Sequence, residues 1–155
     1  MPFQRPDQFT VRRVDKIRWQ LCHALQYQGK RQSFLIPAGY VTDFATVPWF
    51  VQWFIPRTGV WTLAAVLHDW LITHGIPAGL ITSSDCDGLF RRVLREEGTD
   101  VLRRWLMWTG VRWGALSSAT RRPGWLNWRD TPAVLVISAG VLAPFVLLVV
   151  WLLNR

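Results

Sequence analysis

"PAVLVISAGVLAPFVLLVVWLL" (residues 132–153) contains no charged side chain, and its reading decides how much chain is left for a soluble core. A helix needs ~20 apolar residues to cross a hydrocarbon layer of ~30 Å. This run has that length, and a soluble core helix of the same length would carry a polar face. Gly140 and Pro144 lie inside it, residues that membrane helices tolerate better than soluble ones do. Arg129 and Asp130 flank one end, Asn154 and Arg155 the other, with Trp151 close to the end. The expectation is one transmembrane helix over 132–153, inserted in a lipid bilayer.

Residues 117–131, rich in Arg, Trp and Pro, read as a juxtamembrane linker, and residues 1–116 as the folded domain. The net charge is +8, with eleven tryptophans, and most of the arginine lies in the second half. Basic residues next to a span are attracted to anionic headgroups by ~1 kcal/mol each. The membrane-interface candidates are Arg103, Arg104, Trp105, Trp108, Arg112, Trp125, Trp128 and Arg129. Nucleic acid competes for any basic patch, but here the basic residues run straight into the apolar stretch with tryptophan interleaved, which favours lipid. "MPFQRPDQFTVRR" has no apolar centre and is not a signal peptide. The positive flank predicts a tail-anchored chain with its domain on the cytoplasmic side. Cys22 and Cys86 have no metal-type spacing and read as free thiols.

The first forty residues predict β-structure. "KIRWQLCHALQYQG" (16–29) alternates, placing Ile17, Trp19, Leu21, His23, Leu25 and Tyr27 on one face. "QSFLIPAGYVTDF" (32–44) gives an edge strand or two short pieces, because Pro37 and Gly39 interrupt it. The apolar "VPWFVQWFIP" (47–56) ends at Pro56. Helical spacing then runs through "WTLAAVLHDWLITHG" (61–75) with Gly75 at its C-cap. A second helix opens at "ITSSDCDGLFRRVLREEG" (81–98), capped by Ser83 or Ser84. A third opens at "TDVLRRWLMWTGVRWGAL" (99–116), capped by Thr99 or Asp100. The fold class is α+β: a small antiparallel sheet on a helical layer, then the membrane helix.

Asp43, His68 and Asp69 stand among apolar neighbours, where titratable groups are expensive unless paired, metal-bound or used for chemistry. His68 and Asp69 are adjacent, so on a helix they point about 100° apart. An imidazole can act as base or metal ligand, and a nearby carboxylate can orient it or hold a cation. The competing reading is a buried polar network fixing sheet to helices. Asp85 and Asp87 also suit a helix N-terminus on dipole grounds alone, and His74 suits a helix C-terminus.

Three ordered blocks carry a resemblance. Pro37, Gly39, Asp43, Phe44, Ala45, Val47 and Pro48 form the first, with Thr46 in a serine position. Ala64, Ala65, His68, Asp69 and Leu71 form the second, and Asp87 and Phe90 the third, with Cys86 where alanine is usual. Together they resemble the DUF1353 family, found mostly in tailed phages and prophages, over roughly residues 8–115. The resemblance implies phage origin and groups Asp43, His68, Asp69 and Asp87, but it carries no reaction. Secreted phospholipases and HD-type phosphohydrolases also keep a His–Asp pair on a helix. This chain lacks the disulfide framework of the first, and the upstream histidine of the second unless His23 supplies it.

The leading expectation is a membrane-anchored accessory protein with a hydrolase-like or metal site acting at the host envelope. In it His68 is base or ligand, and Asp43, Asp69 and Asp87 orient it or hold a divalent cation. The alternatives are a non-enzymatic virion, tail or assembly component meeting phage or host envelope proteins, and a membrane-perturbing lysis effector.

Overall fold

A computed structural model describes residues 3, 4, 6, 9–29, 32–44 and 52–153. Ala45, Thr46, Val47 and Pro48 of the first block, the first half of the 47–56 apolar run, and the Asn154–Arg155 flank lie outside the described residues. The strands are β1 (Phe3–Gln4), β2 (Val11–Arg13), β3 (Trp19–Leu21), β4 (Leu25–Gln28), β5 (Ser33–Ile36) and β6 (Val41–Thr42). They form two antiparallel sheets rather than one, in the orders β1-β4-β5 and β2-β3-β6. The alternating run at 16–29 breaks at Cys22–Ala24, which sends β3 into one sheet and β4 into the other. Leu21, Leu25 and Tyr27 are buried as the alternation predicts, whereas Ile17 and His23 are exposed. Ile17 is lost to a turn in which Asp15 Oδ1 accepts from the backbone N–H of Ile17 and Arg18, a local bond that competes with strand pairing. Residues 33–44 do split in two, with Gly39 at φ +86° between the pieces, a conformation a side chain disfavours.

Helix α1 (Thr62–Trp70) runs into a π-helical turn, Leu71–Gly75, closed by Ile76 N–H on the Leu71 carbonyl at 2.7 Å. Gly75 therefore does not cap the helix. It is buried in that turn, where a Cβ would stand 2.8 Å from Leu71 Cδ2. Helix α2 (Ser83–Glu96) is capped by Thr82, whose Oγ1 accepts from Asp85 N–H at 3.2 Å. Neither Ser83 nor Ser84 serves, because Ser83 is turned into the interior and Ser84 donates to Asp130. Helix α3 (Val101–Gly114) is capped by Asp100, which accepts from Arg103 N–H at 2.9 Å. Short 3₁₀ turns at Ala115–Ser117 and Arg122–Gly124 lead to α4 (Thr131–Leu153).

The main core sets Leu21, Leu25, Tyr27 and Ile36 from the sheets against Val66 and Leu67 of α1 and Val93 and Leu94 of α2. A second, smaller cluster joins Trp108, Ala115, Trp125 and Val134. It is the foot on which α4 stands, reinforced by Trp113 Nε1–H donating to Ser138 Oγ at 2.9 Å. Trp108 and Trp125, expected at the lipid interface, are instead inside this foot. Every residue from 139 to 153 is exposed.

Thr82→Ala therefore costs about 1 kcal/mol in urea unfolding, while Ser84→Ala leaves the α2 N-terminus unchanged by helix-sensitive circular dichroism.

Candidate functional site

The HD dipeptide serves two different environments. Consecutive positions on α1 point about 100° apart, so His68 turns toward α2 and Asp69 toward the strands. His68 Nε2 meets Asp87 Oδ1 at 2.8 Å, and its ring lies 4.6 Å from that of Phe90. Asp87 is completely buried. Arg121 donates to the same Oδ1 at 2.7 Å, and Arg112 to Oδ2 at 3.3 Å. Arg112 also donates to the carbonyls of Trp125 at 2.6 Å and Gly124 at 3.3 Å, and Arg121 to that of Val111 at 3.2 Å. One carboxylate thus ties α1, α2, α3 and the connector to α4. The headgroup role expected for Arg112 is corrected: it is fully buried, because Asp87 and the Trp125 and Gly124 carbonyls meet its guanidinium inside. Arg121 escaped sequence reading altogether, since its partner lies 34 residues away.

His68, Cys86 and Asp87 offer ligand atoms within 4.8 Å of one another. Two features count against a divalent cation there. Both guanidiniums already occupy the carboxylate, and each would repel a metal ion at close range in a low-dielectric interior. Burial, and secondarily Asp87, push the Cys86 thiol far above its usual range, whereas a cysteine ligates as thiolate. The donor set suits a sealed charge hub. Asp130, nearly buried, supplies a further negative charge: burial alone would raise its pKa, but hydrogen bonds from Ser84 and Arg129 outweigh that and hold it low.

Asp69 faces the other way and is only partly buried. It accepts from Tyr40 Oη at 2.9 Å, and Asp43 raises its pKa further through repulsion. Burial is the main reason the Asp69 carboxyl sits above its ordinary range, against the lowering effect of the Thr42 and Tyr40 hydroxyls. Burial likewise raises the Tyr40 phenol, keeping it a donor. A polar chain continues outward from Tyr40 Oη to Thr73 Oγ1 at 3.2 Å, and from there to His74 Nδ1 at 2.8 Å. His74 is exposed and stacked on Trp70. Beside Asp43, Phe44 is held at φ +66°, a conformation rare for a bulky residue and worth ~1–3 kcal/mol of strain, of the kind that collects at functional sites.

The four candidate residues therefore divide into two groups: His68 with Asp87 in the sealed hub, Asp69 with Asp43 on a partly open face. Among the interface candidates, Trp128 is 90 % exposed and Arg129 lies at the surface. Arg103 folds back onto Phe54, donating to its carbonyl at 3.0 Å, while Trp105 is half-buried under Arg91, whose guanidinium lies 4.4 Å from its ring.

Two substitutions separate the groups. Asp87→Asn strands two buried guanidiniums and costs about 3–5 kcal/mol in denaturant unfolding, while His68→Ala, which leaves both arginine contacts intact, costs less. Asp69 behaves oppositely. Its folded carboxyl binds a proton more tightly than an unfolded aspartate near pH ~3.9, so stability falls as pH rises from there through the raised folded value. Asp69→Asn is accordingly at least as stable as the parent at pH 7, and a pH series of thermal midpoints shows that advantage shrinking to nothing on acidification below about pH 4.

No curated protein and no solved structure matches this chain. A family model described as "Protein of unknown function (DUF1353)" matches residues 19–111. That range contains Asp43, His68, Asp69 and Asp87 and stops short of Arg112, Arg121 and α4. With the match spanning more than half of the sequence and all three motif blocks, the chain belongs to the DUF1353 family.

Proposed function

We propose that this protein is a single-pass membrane protein whose α+β head is held at the bilayer surface and presents the Asp69–Asp43 face for acid–base chemistry at the envelope. The observation that carries the anchoring is α4 itself: 23 apolar-rich residues with only 6 % of the most apolar window buried. A helix so exposed and so apolar has no stable place in water. Its length also sets the depth. Residues 139–153 would cover only about 22 Å at 1.5 Å per residue, short of the ~30 Å core. The hydrocarbon must then reach roughly to Val134, putting the exposed Trp128 at the interface that tryptophan prefers.

Asp69 supports the chemical half. It is kept at some expense to stability, beside a strained Phe44 and at the inner end of the chain to His74. A group whose environment opposes its charge is a candidate for proton transfer. In this reading the substrate is envelope material: a head on the cytoplasmic side meets lipid, and cell wall is within reach only of a head on the opposite face.

The anchor is tested by alkaline carbonate extraction of membranes. The parent stays in the pellet, while Val141→Lys with Leu148→Lys, each costing ~2.5–3.5 kcal/mol at the centre of a span, shifts it to the supernatant. Sidedness is read from the native thiols, because Cys22 is exposed and Cys86 buried. A membrane-impermeant maleimide labels Cys22 in inside-out vesicles only, if the head is cytoplasmic. Turnover of labelled phospholipid or wall fragments that vanishes in Asp69→Asn supports the chemical half, and its absence in the parent removes that half while leaving the anchor.

A further inference from the structure

A cleft of about 590 Å³ opens between α2, α3, Gly29 and Gln32, and the residues just ahead of α4. That size is ordinary for a small-molecule site. Its wall carries Arg91, Arg92, Arg95, Arg104 and Arg129 with Trp105, against two acids, Asp85 and Asp130. Both acids are already engaged by Arg129, at 3.2 and 3.3 Å. Arg91, Arg92, Arg95 and Arg104 form no ion pair among the described residues. We propose that this cleft is a binding site for a phosphate-bearing anion, with the phosphate of an anionic lipid headgroup as the ligand its position favours.

Several features point to a ligand rather than to a merely solvated basic face. Arg91 is fixed: its guanidinium lies over the rings of Trp105 and Trp108, at 4.4 and 4.7 Å. Stacking of this kind leaves the N–H edge of a guanidinium available for bidentate phosphate contact. Burial is the main opposition to the Arg91 charge, and like charges from Arg104, Arg129 and Arg95 add to it against the support of Asp130, a balance that a bound dianion or phosphodiester improves. Gly88 sits in the interior of α2 on the cleft wall, and a Cβ there would meet nothing within 4 Å. Glycine in a helix interior is destabilising relative to alanine, and no packing contact at this position demands it. What it does is keep the wall bare between Asp85 and Arg91, one turn to either side on the same face. Tyr27, 1 % exposed, lines the same wall with its phenol beside Arg92. Arg129 lies two residues before α4 begins, so the cleft is level with the headgroups. Only that last step rests on the anchoring reading.

The test uses the full chain in neutral detergent, so it does not depend on membrane insertion. Phosphatidylglycerol and phosphatidylcholine are titrated separately as mixed micelles, and inorganic phosphate at constant ionic strength, with Trp fluorescence and thermal midpoint as readouts. The parent prefers phosphatidylglycerol. Arg95→Gln with Arg104→Gln weakens it roughly 25-fold, at about fivefold per arginine, with the midpoint unchanged. Gly88→Leu keeps every charge, fills the wall and abolishes the preference, which general electrostatic attraction would not allow. If phosphate raises the midpoint but phosphatidylglycerol does not bind, the site belongs to a soluble phosphate ester and the anion cleft stands. Equal binding of the two lipids with no phosphate effect overturns it, as does undiminished binding in folded Arg95→Gln/Arg104→Gln. Carbonate extraction reports separately on the anchor, so either reading can fail alone.

Discussion

The fold hangs on one buried carboxylate. Asp87 receives His68, Arg112 and Arg121 at once, and those residues come from three segments besides its own helix. A charge with no water around it is tolerated only when its oxygens are filled by donors, and here all three donors arrive through tertiary structure. Apolar residues of similar volume would hold the helices together as well or better. What they would not do is bring the connector back. Arg121 reaches Asp87 only when residues 115–124 turn under α3, and that turn places Trp125 beside Trp108 and sets the foot for α4. The hub thus links the core of the head to the direction in which the apolar helix leaves it.

The same geometry separates the two halves of the HD pair. A helix cannot aim neighbouring side chains at one point, so a dipeptide that looks like a single site becomes a fixed strut and a more open acid. His68 is fixed by Asp87 and Phe90. Asp69 has hydroxyls for partners and a second carboxylate, Asp43, for a neighbour, an arrangement that lets its protonation state vary without releasing the helix packing. Chemistry, where a fold allows it, belongs on the second kind of residue.

Much of this was legible in the chain. Helical spacing and polar caps gave α2 and α3 to within a residue or two, and the uncharged run gave α4. Alternation found Leu21, Leu25 and Tyr27 but not the break at Cys22–Ala24, because nothing in a period-two pattern marks where a strand changes sheets. The arginines were the larger failure. Near a span they read as surface charge, and locally Arg112 is indistinguishable from Arg104. The difference lies in a carboxylate 25 residues back on another helix, which no local periodicity encodes. Trp108 and Trp125 misled for the same reason: tryptophan suits an interface and a packed foot equally well.

Arginine does two opposed jobs in this molecule, and α2 divides them. On its inner side, Asp87 draws two guanidiniums out of water, where planar donors and a permanent charge make the contact specific. One turn on, Arg91 begins a stripe with Arg92 and Arg95 on the cleft side that forms no ion pair among the described residues, Asp130 supporting the Arg91 charge only at longer range. Had the aim been solubility alone, interspersed acids would have served better than a one-signed face, and the two acids present are both spent on Arg129. Uncompensated charge persists at a surface when something else compensates it. The hub fixes that face in place beside the apolar helix α4, so the burial of Arg112 and Arg121 and the exposure of Arg95 follow from one arrangement of α2, whose inner side is filled by Asp87 and whose outer side carries the basic stripe.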